Sequence, residues 1–134
     1  MITFTPIASS SKGNAYVVSA PGAAPLLLEA GLPIKSLREK LNFGLTKLAG
    51  CLVSHEHQDH AKAVKDLLKA GVECFMSQGT ANALGVAGHH RLNLLSKAVE
   101  VLPGGWRIRS IPLEHDAAEP LGFLIGRDDD RLLF

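Results

Sequence analysis

An α+β domain is the fold class this sequence predicts, and three observations predict it. Short apolar segments separated by turn residues open the chain, buried apolar runs alternate with helical periodicity through its middle, and two strand pairs joined by tight turns close it. The 134 residues, 46% of them hydrophobic, suffice for one domain with its own core, so residues 1–134 are expected to form a single unit.

Ile2 to Ile7 alternates like a half-buried strand, Ser9 to Asn14 supplies a turn, and Ala15 to Val18 returns as its hairpin partner. Pro21-Gly22 marks the next turn, and Leu26 to Glu29 reads as a short buried strand closed by Gly31, which implies an antiparallel start. Pro33 is suited to the first turn of a helix, and Ile34, Leu37 and Leu41 recur at helical spacing until Gly44. Leu48 to Val53 is a second buried strand. After the polar stretch that follows it, Ala61, Val64, Leu67 and Leu68 line one face of a helix ended by Gly71. Val72 to Met76 reads as a strand and Thr80 to Leu84 as a short helix capped by Gly85. Ala98 to Leu102 and Arg107 to Leu113 form a hairpin around Pro103-Gly104-Gly105, and Leu121 to Ile125 and Arg131 to Phe134 flank an acidic turn.

A formal charge of +1, from 14 basic and 13 acidic residues, provides no broad footprint for nucleic acid, so any polyanion contact must be local. Cys51 and Cys74 lie in separate apolar runs without a CxxC pair and read as buried free thiols, which suits a reducing compartment. The sequence shows neither a secretory leader pattern nor an apolar stretch of membrane-spanning length, and a cytoplasmic location is expected, with no membrane partner.

The chemistry concentrates in Ser54-His55-Glu56-His57-Gln58-Asp59-His60, where three imidazoles and two carboxylates follow the apolar run Cys51-Leu52-Val53. Imidazole and carboxylate without thiolate is a ligand set for zinc, manganese or iron that leaves positions open for water and substrate. In extended backbone, residues two apart share a side, so His55 and His57 are placed to reach one metal while Glu56 turns away. Asp59 and His60, displaced as the chain enters a helix near Ala61, are placed to serve a second. His115 follows a strand and is a natural third ligand for the first metal, or else an exposed loop histidine; His89 and His90 read as surface residues. Lys12, Lys62 and Lys65 are positioned either to touch phosphate or simply to be solvated.

The order Leu27-Leu28-Glu29-Ala30-Gly31, then Ser54 to His60, then His115 to Phe123, resembles the metallo-β-lactamase superfamily. Ile7 to Asn14 and the segment from His115 most resemble its YycJ/WalJ-type branch. The resemblance implies an αβ/βα sandwich, here mainly its N-terminal half, with two zinc ions, or manganese or iron, per intact site. It further implies that His55, His57 and His115 bind one metal, that Asp59 and His60 contribute to the second, and that Asp59 also orients the nucleophile. Glu29, where the family usually has Asp, and Asp116 would stand behind the ligands as supports.

The branch implies a phosphodiesterase or DNA exonuclease employing a hydroxide held by two metals, with DNA as partner. The alternatives are a hydrolase of small esters, thioesters or lactones, and a non-catalytic metal-binding fragment. The family's next motif, a strand ending in a bridging Asp, is expected about where Leu132-Leu133-Phe134 stands, and a later His would follow. The expectation is a fragment of a longer hydrolase, inactive by itself and prone to self-association through open sheet edges; the other possibility is that a second polypeptide supplies the missing half.

Overall fold

The computed structural model describes residues 1–96, 99–114 and 116–134. Strands β1 (Thr3–Ser10) and β2 (Gly13–Ser19) form a hairpin in which Ser10 pairs with Gly13, and β3 (Leu26–Leu28) lies antiparallel to β2. Strands β4 (Gly50–Leu52), β5 (Cys74–Met76) and β6 (Leu92–Leu94) then add in parallel, giving a six-stranded sheet in sequence order. Each parallel step needs a crossover. Helix α1 (Ile34–Lys40) lies between β3 and β4, α2 (Gln58–Ala61) and α3 (Val64–Lys69) between β4 and β5, and α4 (Gln78–Leu84) between β5 and β6. The second sheet is antiparallel throughout and runs β10 (Asp130–Leu133), β9 (Leu121–Arg127), β8 (Trp106–Pro112), β7 (Glu100–Leu102).

Period-two alternation divides the apolar residues of the first sheet between two cores. Leu27, Cys51, Val53, Cys74 and Met76 face the helices, where they meet Leu37, Val64, Leu67 and Leu68. Leu26, Leu28, Leu52 and Phe75 face the second sheet and pack on Trp106, Ile108, Phe123 and Ile125. Both faces of β3 and β4 are therefore covered, which explains their unbroken apolar runs. Trp106 is fully buried in the second core and donates its indole N–H to the Ala24 carbonyl at 2.8 Å, so its polar atom is satisfied. The outward face of the second sheet carries no helix among the described residues, and Val101 and Leu133 there are 71% and 70% exposed.

The structure departs from the sequence reading at four places. The helix after the histidine cluster begins at Gln58 rather than near Ala61, because the His57 carbonyl already accepts from the His60 and Ala61 N–H groups. Asp59 and His60 therefore ride on a helical turn. Residues 92–94 form an edge strand that a three-residue run beside a histidine loop does not announce, and α1 ends at Lys40, well before Gly44. Strand β1, read as half-buried, is mostly exposed because it is an outer strand. The expected start of the Ala98 to Leu102 strand lies outside the described residues. No described helix is long and apolar enough to cross a membrane.

Candidate metal centre

The candidate centre sits where the parallel strands β3 and β4 end. Ligand sites in sheets of this kind gather at the carboxyl ends of parallel strands, where consecutive loops converge. Beyond β3, the backbone turns at Glu29, whose φ of 65° is left-handed and unusual for a residue with a side chain. Its N–H still extends the sheet by bonding Leu52 O at 2.8 Å, and its side chain is 99% buried. Gly31 then approaches the α2 turn so closely that a Cβ would lie 1.8 Å from Asp59 O. That contact needs glycine. The docking is held by Gly31 N to Asn14 O at 2.9 Å, Asn14 Nδ2 to Asp59 O at 3.1 Å, Ala30 N to His60 O at 2.8 Å and Ala63 N to Ala30 O at 2.8 Å. The turn read at Ser9 to Asn14 thus ends in a residue that braces the backbone of the histidine motif.

Counting protons along the hydrogen bonds decides how the imidazoles are presented. The Glu29 carboxylate only accepts, taking Ser54 N at 2.7 Å on Oε1 and the Ser54 hydroxyl at 2.6 Å on Oε2. The single hydroxyl proton of Ser54 is thus committed to Glu29, and the contact of its oxygen with His55 Nδ1, at 2.7 Å, requires the proton to be on that nitrogen. His55 Nε2 then carries the lone pair. His60 makes the same commitment directly, with Nδ1 bonded to Glu29 Oε2, while its Nε2 lies 3.3 Å from Asp59 Oδ2. The bond to Glu29 raises the His60 pKa above its ordinary value; burial opposes this, and the charges of Glu29 and Asp59 add to it. The two carboxylates thus favour the charged form of His60 more than water does.

The three rings gather around buried His55, with centroids 4.7 Å from His57 and 4.2 Å from His60. Ligand atoms of Glu29, His55 and His60 lie within 4.8 Å of one another. This donor set fits a divalent cation: imidazoles whose Nδ1 protons are held by a carboxylate network offer Nε2 to a metal, the usual arrangement behind a metal-binding histidine. Glu29, one methylene longer than the aspartate of the resemblance, reaches Ser54 and His60 together.

The loop before β9 completes this edge. Leu121 N bonds Ser54 O at 2.9 Å, Ala118 N bonds Glu56 Oε2 at 2.9 Å, and Ser77, the N-cap of α4, donates to Glu119 O at 2.7 Å. Glu119 Oε1 in turn accepts from Gly79 N at 2.8 Å. Glu56 thus turns away from the neighbouring imidazoles and ties their loop to the one that carries Asp116, which is exposed. His115 lies outside the described residues. Glu29, His55, His57, Asp59 and His60 are brought together; Ser54, Asn14 and Glu56 are supports that the sequence reading did not assign. Ser54 and Glu56 lie inside the motif, but nothing in a motif identifies which carboxylate a serine will meet. Cys51 takes no part: a hydrogen bond with the free thiol of Cys74, together with burial, holds its thiol pKa well above the usual range.

The same arrangement of strands and helices recurs in solved structures. YhfI from Bacillus subtilis, a metallo-β-lactamase fold protein, superposes with a TM-score of 0.78 at 14% identity, covering 98% of this chain and 61% of that one. The chain has the metallo-β-lactamase fold. A Cronobacter sakazakii metallo-β-lactamase with a HARLDQ motif matches at 0.75 and 17% identity, over 94% of this chain and 53% of that one. A chemotaxis sensor solved as a peroxy diiron species matches at 0.73 and 15%, over 91% and 54%. Among curated proteins, this metallo-β-lactamase-fold chain is 28% identical to exodeoxyribonuclease YycJ of Bacillus anthracis over 137 aligned positions, covering 96% of the chain and 52% of the relative. It is 29% identical to exodeoxyribonuclease WalJ of Streptococcus pneumoniae, over 92% of the chain and 49% of the relative. The chain spans about half the length of these relatives. No family model matches it.

Proposed function

We propose that this chain carries the histidine-rich half of a metal-dependent phosphodiesterase that acts on DNA. The observation that carries the reading is the shared carboxylate of Glu29, which holds the Nδ1 side of both His55, through Ser54, and His60. His55 and His57, with His115, would hold one divalent metal, and Asp59 and His60 would contribute to a second; Glu29 and Asp116 would orient the set. A metal bound there supplies Lewis acidity and lowers the pKa of coordinated water toward neutrality. Asp59 faces His60 Nε2 and would orient the attacking water, while Glu56 holds the loop after residue 115 against the cluster. DNA as substrate is supported by the exodeoxyribonucleases to which the chain is similar. Zinc, manganese and iron all suit the donors, and one neighbour of this fold is a diiron protein.

The test is His57→Ala in the longest available form of the protein. Loss of hydrolysis of a DNA strand is expected, and unchanged hydrolysis would sink the reading. Turnover of a thioester above that of a phosphodiester would instead favour the small-ester alternative.

A further inference from the structure

We propose that the groove between α3 and α4 is a track for the sugar–phosphate backbone of single-stranded nucleic acid. This rests on the nuclease reading and extends it to a binding surface. Two adjoining concavities meet at Lys65: one is lined by Gln58, Lys62 and Leu84, the other continues past Lys69 to His89. The track begins at Gln58, whose neighbours in the sequence are His57 and Asp59 of the candidate centre. Lys65 and Lys69 lie four residues apart on α3, Lys62 stands in the turn just before it, and all three are exposed.

Charge makes this groove distinct. The chain as a whole is balanced at +1, yet no acidic residue lines either concavity, and none of the ion pairs among the described residues uses these lysines. Asp66 of the same helix faces a different depression, with Ile34 and Arg38. The three lysines are spread along the two joined concavities, so each can meet a separate phosphate of one strand. At the far end the rings of His89 and His90 stack at 4.6 Å, and His89 is only half-buried, so a flat π surface is available to a base. A strand with splayed bases can use both features, whereas a duplex keeps its bases inside.

The experiment is fluorescence anisotropy of a short phosphorothioate-linked oligothymidylate, with zinc present, across a salt series. The variant Lys62→Gln/Lys65→Gln/Lys69→Gln is compared with Lys35→Gln/Lys40→Gln/Lys47→Gln, which removes the same charge from exposed positions elsewhere. At about 0.7 per phosphate, the groove variant should lose about two from the salt slope and bind on the order of tenfold or more weakly near physiological salt. The control variant should keep the slope. Equal losses in the two variants, or an unchanged slope in the groove variant, would overturn the proposal, and so would a wild-type chain that does not bind the strand. Because binding is read without turnover, a failed groove leaves the His57→Ala result standing, and a failed His57→Ala result leaves the binding measurement intact.

Discussion

The two sheets divide the work unequally. The six-stranded sheet and its crossovers supply Glu29, His55, His57, Asp59 and His60, whereas the four-stranded sheet supplies a hydrophobic wall and a tethering loop. The reason lies in connectivity. Parallel strands deliver successive loops to the same edge, so residues far apart in sequence meet there. Antiparallel hairpins deliver alternate loops to opposite edges, and among the described residues the connection between β8 and β9 meets the histidine motif through Ala118 and Leu121. Among the described residues, the first sheet carries the clustered imidazoles and carboxylates, and the second braces them.

Substitutions can break this division, and the expected effects descend from the docking contact outward. Gly31→Ala forces a methyl against Asp59 O, and because backbone lies on both sides the turn of α2 must move. Loss of zinc binding together with destabilisation by several kcal/mol is expected, read by calorimetric titration and urea unfolding; a native-like variant with normal zinc uptake would show that the docking does not place the histidines. Trp106→Ala, in the wall between the sheets, should cost about 3 to 5 kcal/mol in urea while leaving zinc stoichiometry intact at low denaturant.

Glu29→Gln sharpens the comparison further. Its amide would set N–H groups against donors from Ser54 and His60, so zinc affinity should fall about 10- to 100-fold with a near-native fold, measured by competition with a chromophoric chelator. Unaltered affinity would remove Glu29 from the account of the centre. Glu56→Ala removes the bond that receives Ala118 N and should cost about 1 kcal/mol, with faster amide exchange confined to the loop before β9. Exchange unchanged in that loop would mean that other bonds fix it.

Much of this was legible in residue order. Period-two apolar runs marked most strands, and the density of imidazoles in residues 55–60 marked the centre. Short elements were harder to read: β6 and the start of α2 depend on pairing with Cys74 to Met76 and on the His57 carbonyl, and neither partner is apparent from local propensity. Supports were harder still. Asn14 and Glu29 lie 45 and 31 residues from the Asp59 and His60 they bond, separations over which periodicity carries no information.

The sequence by itself determined which donors exist, that they follow a buried strand, and that the two cysteines stand apart from them, because residue type and local alternation are properties of short segments. Packing between segments set which nitrogen of His55 and of His60 faces the Glu29–Ser54 network, that Glu56 meets the loop before β9, and that three lysines share a groove with no acidic lining residue. Those outcomes depend on distances between segments, and distances are set only when both cores close.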